Sequence, residues 1–167
     1  MSARPVTWNT VPRPLRTLAA WVTVVQVVGY TTALVFVWWT TRLVPHGIAD
    51  HYRGSDPVAT EGSMQFAKSF GEMLTLTHTH LLGMAVIFTL SGIGVALCGS
   101  LSERLRRFLI AEPFFALLVS FSAMWLMRYA SPHWAWLLQL SSSVLALTFY
   151  LQSALTAREL FRSRGTP

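Results

Sequence analysis

Charged side chains are scarce in this chain of 167 residues: only 12% are Asp, Glu, Lys or Arg, whereas 53% are hydrophobic. A soluble domain carries about a quarter charged residues, because it needs polar surface in water. The shortage excludes an ordinary water-soluble globule and any disordered class. It favours a membrane protein.

Cysteine is almost absent, with Cys98 as its single instance. One cysteine excludes an intramolecular disulfide, a CxxCH haem attachment and a thiolate site of the zinc-finger or iron–sulfur kind. Any metal or haem in this chain must therefore use other ligands.

A concentrated basic patch is also lacking, although the formal net charge is +6. A nucleic-acid-binding protein gathers its Lys and Arg residues into a stripe or patch. Here they lie in short clusters between long apolar runs, which is typical of membrane topology. We therefore expect no nucleic-acid partner.

Four apolar runs are long enough to cross the hydrocarbon core, which takes about 20 helical residues. The first exceeds the roughly 7–15 apolar residues of a signal peptide and no A-x-A site follows, so we interpret it as a span. Because only helices of this length satisfy their own backbone groups in lipid, the sequence predicts an all-α, four-helix transmembrane bundle in one domain over residues 1–167. The spans are expected at about 18–39, 78–97, 108–127 and 134–155.

The basic residues predict the orientation of these spans. Nine of the 13 Lys and Arg residues fall on one side of the predicted bundle. The positive-inside rule places that side, with both termini, in the cytoplasm (N-in/C-in). The long first loop, about 41–72, then faces the periplasm from a bacterial inner membrane. The nine residues are Arg4, Arg13, Arg16, Arg104, Arg106, Arg107, Arg158, Arg162 and Arg164.

The second half of this loop, residues 57–73, places Phe66, Phe70 and Met73 at helical spacing. This spacing predicts a short amphipathic helix on the outer surface that leads into the second span.

All five histidines, His46, His51, His78, His80 and His133, lie on the outer side of this topology. Imidazole is the commonest side-chain metal ligand and an axial ligand of haem. Ser131 and Pro132 predict a helix start just before His133, where the helix dipole disfavours imidazolium. A neutral imidazole is the form that binds iron.

His78 and His80 point to opposite faces of a regular helix, since two residues turn the chain by about 200°. We expect His78 and His133 to form a haem-ligand pair between the second and fourth spans, with His80 beside it. The reverse assignment of His78 and His80 stays open, as does a thioether ligand from Met73 or Met84 near His80.

Three outer arginines, Arg42, Arg53 and Arg128, are candidate partners of haem propionates, because guanidinium groups bind carboxylates in a bidentate way. The alternative is that they contact lipid headgroups. His51, His78, His80 and His133 are also candidate ligands of a bare copper or zinc ion. A third interpretation leaves these histidines bonded to loop carbonyls or water.

Polar residues inside the spans call for partners. Glu112, about one turn inside the third span, is expected to form an ion pair with Arg16, Arg107 or Arg158, with a proton relay as the alternative. Gln26, Gln139 and the serines 141–143 are expected to form interhelical hydrogen bonds.

The run 77–84 (THTHLLGM) resembles the HxHL segments that open a helix in small membrane proteins encoded near bacterial respiratory and cytochrome genes. The run 47–54 (GIADHYRG) is similar to an HYRG-type loop of such proteins. The resemblance implies an electron-transfer setting and matches His51, His78 and His80. Larger b-type cytochromes carry histidine pairs near both membrane faces. This chain has none on the inner side, so one outer haem is the most that the resemblance implies.

The sequence therefore predicts a small b-type cytochrome or electron-transfer subunit with one haem b near the outer face. Its expected partners are the lipid bilayer, a quinone, and other membrane or periplasmic redox proteins. Two alternatives stay open: a non-catalytic anchor or assembly subunit of a larger complex, and an outer copper or zinc site.

Overall fold

The computed structural model describes residues 6–55 and 64–162, and every regular element in these two ranges is helical. A short 3₁₀ turn precedes the last helix and carries His133, so we call it the His133 turn. The elements are α1 (Arg13–Thr41), α2 (Pro45–Arg53), α3 (Phe70–Ala96), α4 (Glu103–Tyr129), the His133 turn (Pro132–Trp134) and α5 (Ala135–Arg162).

Four of these elements, α1, α3, α4 and α5 with its preceding turn, are long and apolar enough to cross a membrane. Each contains most or all of a predicted span and extends beyond it by several residues. The prediction of an all-α bundle with four transmembrane helices is confirmed.

The core of the bundle lies where α4 and α5 pack along each other and α3 covers both. Tyr30 is the one buried residue that α1 contributes to this core, which otherwise comes from α3, α4 and α5. The Tyr30 ring stacks on Phe149 of α5 with the centroids 4.2 Å apart. Because α1 contacts α5 more extensively than it contacts α3, it is attached to the bundle chiefly through α5.

The start of α3 differs from the prediction of an amphipathic helix over residues 57–73. Residues 57–63 lie outside the described part, and residues 64–69 are not helical. The helix begins at Phe70 because Ser69 and Glu72 form a capping box: the Glu72 N–H donates to Ser69 Oγ, and the Ser69 N–H donates to Glu72 Oε2 at 2.7 Å. This reciprocal pair satisfies two donors that a helix end leaves free.

A helix that the sequence did not predict, α2, follows α1 after a sharp turn. Arg42 and Leu43 both adopt left-handed backbone angles, with φ of 57° and 55°. Pro45 then starts α2, as a residue whose missing N–H costs nothing in a first turn. A side chain at Gly47 would collide with the carbonyl of Thr41, so the turn requires a glycine there.

The opposite end of the bundle holds the start of the described chain against the ends of α3 and α5. Trp8 donates its indole N–H to the Gly94 carbonyl at 2.9 Å, and Arg16 reaches the Leu160 carbonyl. Both termini therefore approach the same end, as four spans require. We call this the inner end and the end with α2 the outer end; their assignment to the cytoplasm and periplasm is a prediction.

Candidate functional site

The outer end is covered by a structured segment that we call the outer cap, residues 42–55 and 64–69. Its helix α2 lies against α4, α5 and the His133 turn. Ile48 and Ala49 of α2 are buried in a cluster with four residues of the long helices. Those four are Met73, Met124, Met127 and Ala135.

Arg53 fixes α2 to the end of α4. Its Nη1 donates to the carbonyls of Met127 at 2.7 Å and Arg128 at 3.2 Å. These carbonyls belong to the last turn of α4, where no helical N–H remains to bind them. A cation at this negative end of the helix dipole is favourable, so Arg53 serves here as a C-terminal cap.

Arg128 and Arg42, the other two predicted propionate partners, also have structural contacts. Arg128 donates through Nε to the Lys68 carbonyl at 2.8 Å and lies over the Tyr129 ring. The Arg42 guanidinium is exposed and lies 5.7 Å from the ring centres of Trp38 and Trp39. All three predicted arginines are at the outer end.

Two further hydrogen bonds hold the outer end, one between a long helix and the outer cap and one between two long helices. Gln139 of α5 donates to the Leu43 carbonyl at 2.7 Å, and the Trp125 indole of α4 donates to Thr77 Oγ1 of α3 at 2.9 Å. The outer end is thus held by side chains of three long helices. This organisation makes it a defined surface rather than a set of unattached loops.

His51 is the histidine that the outer cap partly buries. Its Nδ1 is buried and has no hydrogen-bond partner among the described residues. Burial, with a smaller contribution from Lys68, lowers the pKa of His51 below its usual value. The lowered pKa favours the neutral ring, and neutral imidazole is the form that binds a metal.

The remaining histidines are exposed. His78 and His80 lie in the outer half of α3, where His80 Nδ1 is 3.0 Å from the Leu76 carbonyl. His46 is on the surface of α2, and His133 is on the His133 turn. The predicted start at Ser131 and Pro132 is confirmed, since Ser131 Oγ accepts from the His133 N–H.

The turn that carries His133 packs against the helix that carries His51, and not against the helix that carries His78. The His133 turn packs against α2, α4 and α5, and no Cα of this turn lies within 8 Å of a Cα of α3. The elements that carry His51 and His133 are therefore neighbours, whereas those of the expected pair His78 and His133 are not. The spacing of residues in the sequence could not reveal which of these elements are neighbours, because it did not predict α2.

A site for a bare metal ion does not form in the part of the chain that the structure describes. No three residues among its His, Cys, Asp and Glu side chains lie close enough to hold an ion together. A closed zinc site takes three or four protein ligands. The four histidines proposed for copper or zinc are thus distributed over the outer end without converging.

Glu112 does not form the ion pair that the sequence suggested. Arg107 pairs instead with Glu103 at 2.8 Å, and Arg16 donates to a backbone carbonyl. In residues 6–55 and 64–162 no cation pairs with Glu112, and its buried Oε2 has no hydrogen-bond partner. The nearby arginines point to the helix ends, where free carbonyls and Glu103 take their donors.

The expected interhelical hydrogen bonds are present for Gln26 and Ser141, whereas Ser142 and Ser143 donate to the Gln139 carbonyl within α5. Gln26 of α1 donates to the Ile87 carbonyl of α3, and Ser120 of α4 donates to Ser141 of α5 at 2.8 Å. Sequence reasoning missed Gln152, which is fully buried between α5 and α4. Pro113 was the available signal in the sequence. Because proline has no N–H, the Leu109 carbonyl of α4 lacks its helical donor and needs one from another residue, which Gln152 supplies.

Comparison with known proteins gives one match. A family model described as a transmembrane helical domain matches residues 42–167. The matched part begins directly after α1 and includes the outer cap, α3, α4 and α5. No curated protein and no solved structure matches the chain.

Proposed function

We propose that this chain, which belongs to the Aq_1264_TM family, described as a transmembrane helical domain, works inside the membrane as a small electron-transfer subunit. It would hold one haem b at the outer end, with His51 as a ligand. The observation that carries this proposal is the buried, unpartnered Nδ1 of His51. Buried polar atoms nearly always have a partner, so an exception calls for an explanation, and a bound ligand is the one proposed here.

Haem fits the outer histidines better than a bare ion does. The porphyrin supplies four nitrogen ligands of its own, so one or two imidazoles from the protein are sufficient. His133 is the candidate second ligand, because its turn packs against the helix that carries His51. The pair His78 and His133, and His80 as a ligand, remain the alternatives that variants distinguish.

The arginines of the outer end supply positive charge for the propionates. Arg42 is exposed, and within the described residues Arg53 donates through Nη1 and Arg128 through Nε, out of the five N–H donors of a guanidinium. When bound, the haem supplies the redox chemistry, and the chain holds it and balances its charge. We place the outer cap in the periplasm of a bacterium, where a redox protein or a membrane quinone exchanges the electron.

The test is an absorption spectrum of the full chain in detergent, oxidised and then reduced with dithionite. A Soret band with sharp reduced bands is expected, directly or after haem is added back. His51→Ala and His133→Ala should remove them, and His46→Ala, an exposed control on the same helix, should not. Loss in His78→Ala but not in His51→Ala would restore the pair expected from sequence. A folded, colourless protein that takes up no added haem contradicts the proposal.

A second candidate is a non-catalytic anchor or assembly subunit, which the exposure of α1 favours. Tyr30 and Thr41 are the buried residues of this helix, so lipid or the helices of another protein must cover the rest. Photo-crosslinkers at Val28 and Phe36, both exposed, distinguish the two coverings. A defined protein adduct at either position, from a colourless chain, supports the anchor; lipid adducts alone do not.

A further inference from the structure

A cleft of about 350 Å³ lies between the inner halves of α1 and α3, with Ser153 and Thr156 of α5 behind it. This volume is within the ~300–1,000 Å³ of sites that bind small molecules. Leu15, Leu18 and Ile93 line the cleft and are each more than half exposed. The cleft is therefore open sideways to the hydrocarbon around the bundle.

The polar groups of the cleft are largely used by the protein itself. Ser91 donates to Gln26 Oε1, and the Gln26 amide donates to the Ile87 carbonyl. Ser153 donates to the carbonyl one turn before it. Thr156 Oγ1, which has no oxygen or nitrogen partner, lies over Gly94. The cleft thus offers an apolar wall, and an apolar chain is the occupant that such a wall fits.

Positive charge lies at the inner mouth of this cleft. Arg16 reaches the Leu160 carbonyl, one helical turn beyond Thr156 on α5. Arg13 is exposed one turn earlier on α1, and Arg162 is exposed at the end of α5. Glu159 is the one acid of α5 in this region, so the mouth keeps a net positive charge.

We propose that the cleft binds one acyl chain of an anionic phospholipid, with the lipid phosphate held at Arg16. The apolar wall selects the chain, and Arg16 selects the headgroup. A basic residue near the membrane surface contributes attraction for anionic lipid equal to about fivefold in affinity. This inference does not depend on haem at the outer end.

Native mass spectrometry of the full chain in detergent tests it, with phosphatidylglycerol and phosphatidylcholine of identical acyl chains as probes. One phosphatidylglycerol should bind about fivefold more tightly than phosphatidylcholine, the contribution expected of one arginine. Arg16→Gln should reduce this preference by about fivefold, and Arg104→Gln, an exposed arginine on α4, should leave it unchanged.

Filling the cleft separates it from the general lipid surface. Ala19→Phe and Val22→Phe place a ring in the cleft and should abolish the tightly bound lipid. Ala33→Phe, at an exposed position of the same helix, should not. Unfolding temperatures identify any variant that fails to fold. The comparison of the two lipids uses the unsubstituted chain, so it does not depend on how the variants fold. Equal binding of both lipids, retention in folded filled variants, or preference for a neutral isoprenoid quinone would overturn the proposal.

Discussion

Gln152 of α5 donates a hydrogen bond through Nε2 to the carbonyl oxygen of Leu109 in α4, at 2.6 Å. Leu109 lies four residues before Pro113, which lacks the N–H that would bind this carbonyl within the helix. A side chain of the neighbouring helix therefore replaces the missing donor. The buried proline in α4 is tolerated because α5 supplies this amide.

Gln152→Leu should destabilise the bundle by about 1 kcal/mol, because it leaves the buried Leu109 carbonyl without a donor. In a Pro113→Ala background the helix regains its own N–H, so the same substitution should cost clearly less. A double-mutant cycle on unfolding in detergent measures this difference. Equal costs in both backgrounds would show that the Gln152 bond does not compensate for the proline.

Gly94→Ala should destabilise the inner end by about 1–3 kcal/mol, the usual cost of overpacking. An added Cβ would stand 2.6 Å from Thr156 Oγ1, which forces α3 and α5 apart. Gly83→Ala is the matched control in α3, because nothing lies within 4 Å of its added Cβ. Thermal unfolding should show a loss for Gly94→Ala, partial recovery on adding Thr156→Ala, and no loss for the control.

Arg53→Ala should loosen the outer cap from α4 at a cost of about 1 kcal/mol, since it removes a charged C-terminal cap. Hydrogen exchange should become faster over α2 and the last turn of α4, while α5 near the inner end stays unchanged. His46→Ala removes an exposed side chain from the same helix and should leave exchange as it was. Unchanged exchange in Arg53→Ala would contradict the capping role.

The Cys98 thiol should react slowly with iodoacetamide at neutral pH. Burial, with a further contribution from Glu159, raises the pKa of Cys98 to about 11, and only the thiolate attacks the reagent. Labelling should rise as the pH approaches that value. The variant Cys98→Ala with Ser100→Cys moves the thiol to an exposed position and should react quickly at neutral pH; equal rates for both proteins would argue against a buried thiol.

The four transmembrane helices follow from the sequence because their signal is the length of an apolar run, which needs no knowledge of neighbours. The helix α2 escaped prediction for the opposite reason. It has nine residues and depends on burying Ile48 and Ala49 against α4 and α5. Its start also requires a left-handed backbone conformation at Arg42 and Leu43, which no pattern in the sequence predicts.

The candidate site was likewise predictable in part, where topology decided it, and unpredictable where packing decided it. That all the histidines would gather at the outer end follows from topology alone. Which of the elements that carry them are neighbours depends on α2, against which the His133 turn packs. Glu112 was assigned a cation because three arginines lie on the same side of the predicted bundle, but Arg16 donates to the Leu160 carbonyl and Arg107 pairs with Glu103.

The attachment of α1 to α5 has a consequence for how the chain is made. Arg16 and the Leu160 carbonyl that it binds are 144 positions apart. Tyr30 likewise stacks on Phe149, a residue of the last helix. Because α1 precedes α5 in the chain, it can gain this neighbour only after α5 has been synthesised. Before that point its available partners are α2 and α3, including the Ile87 carbonyl that Gln26 binds.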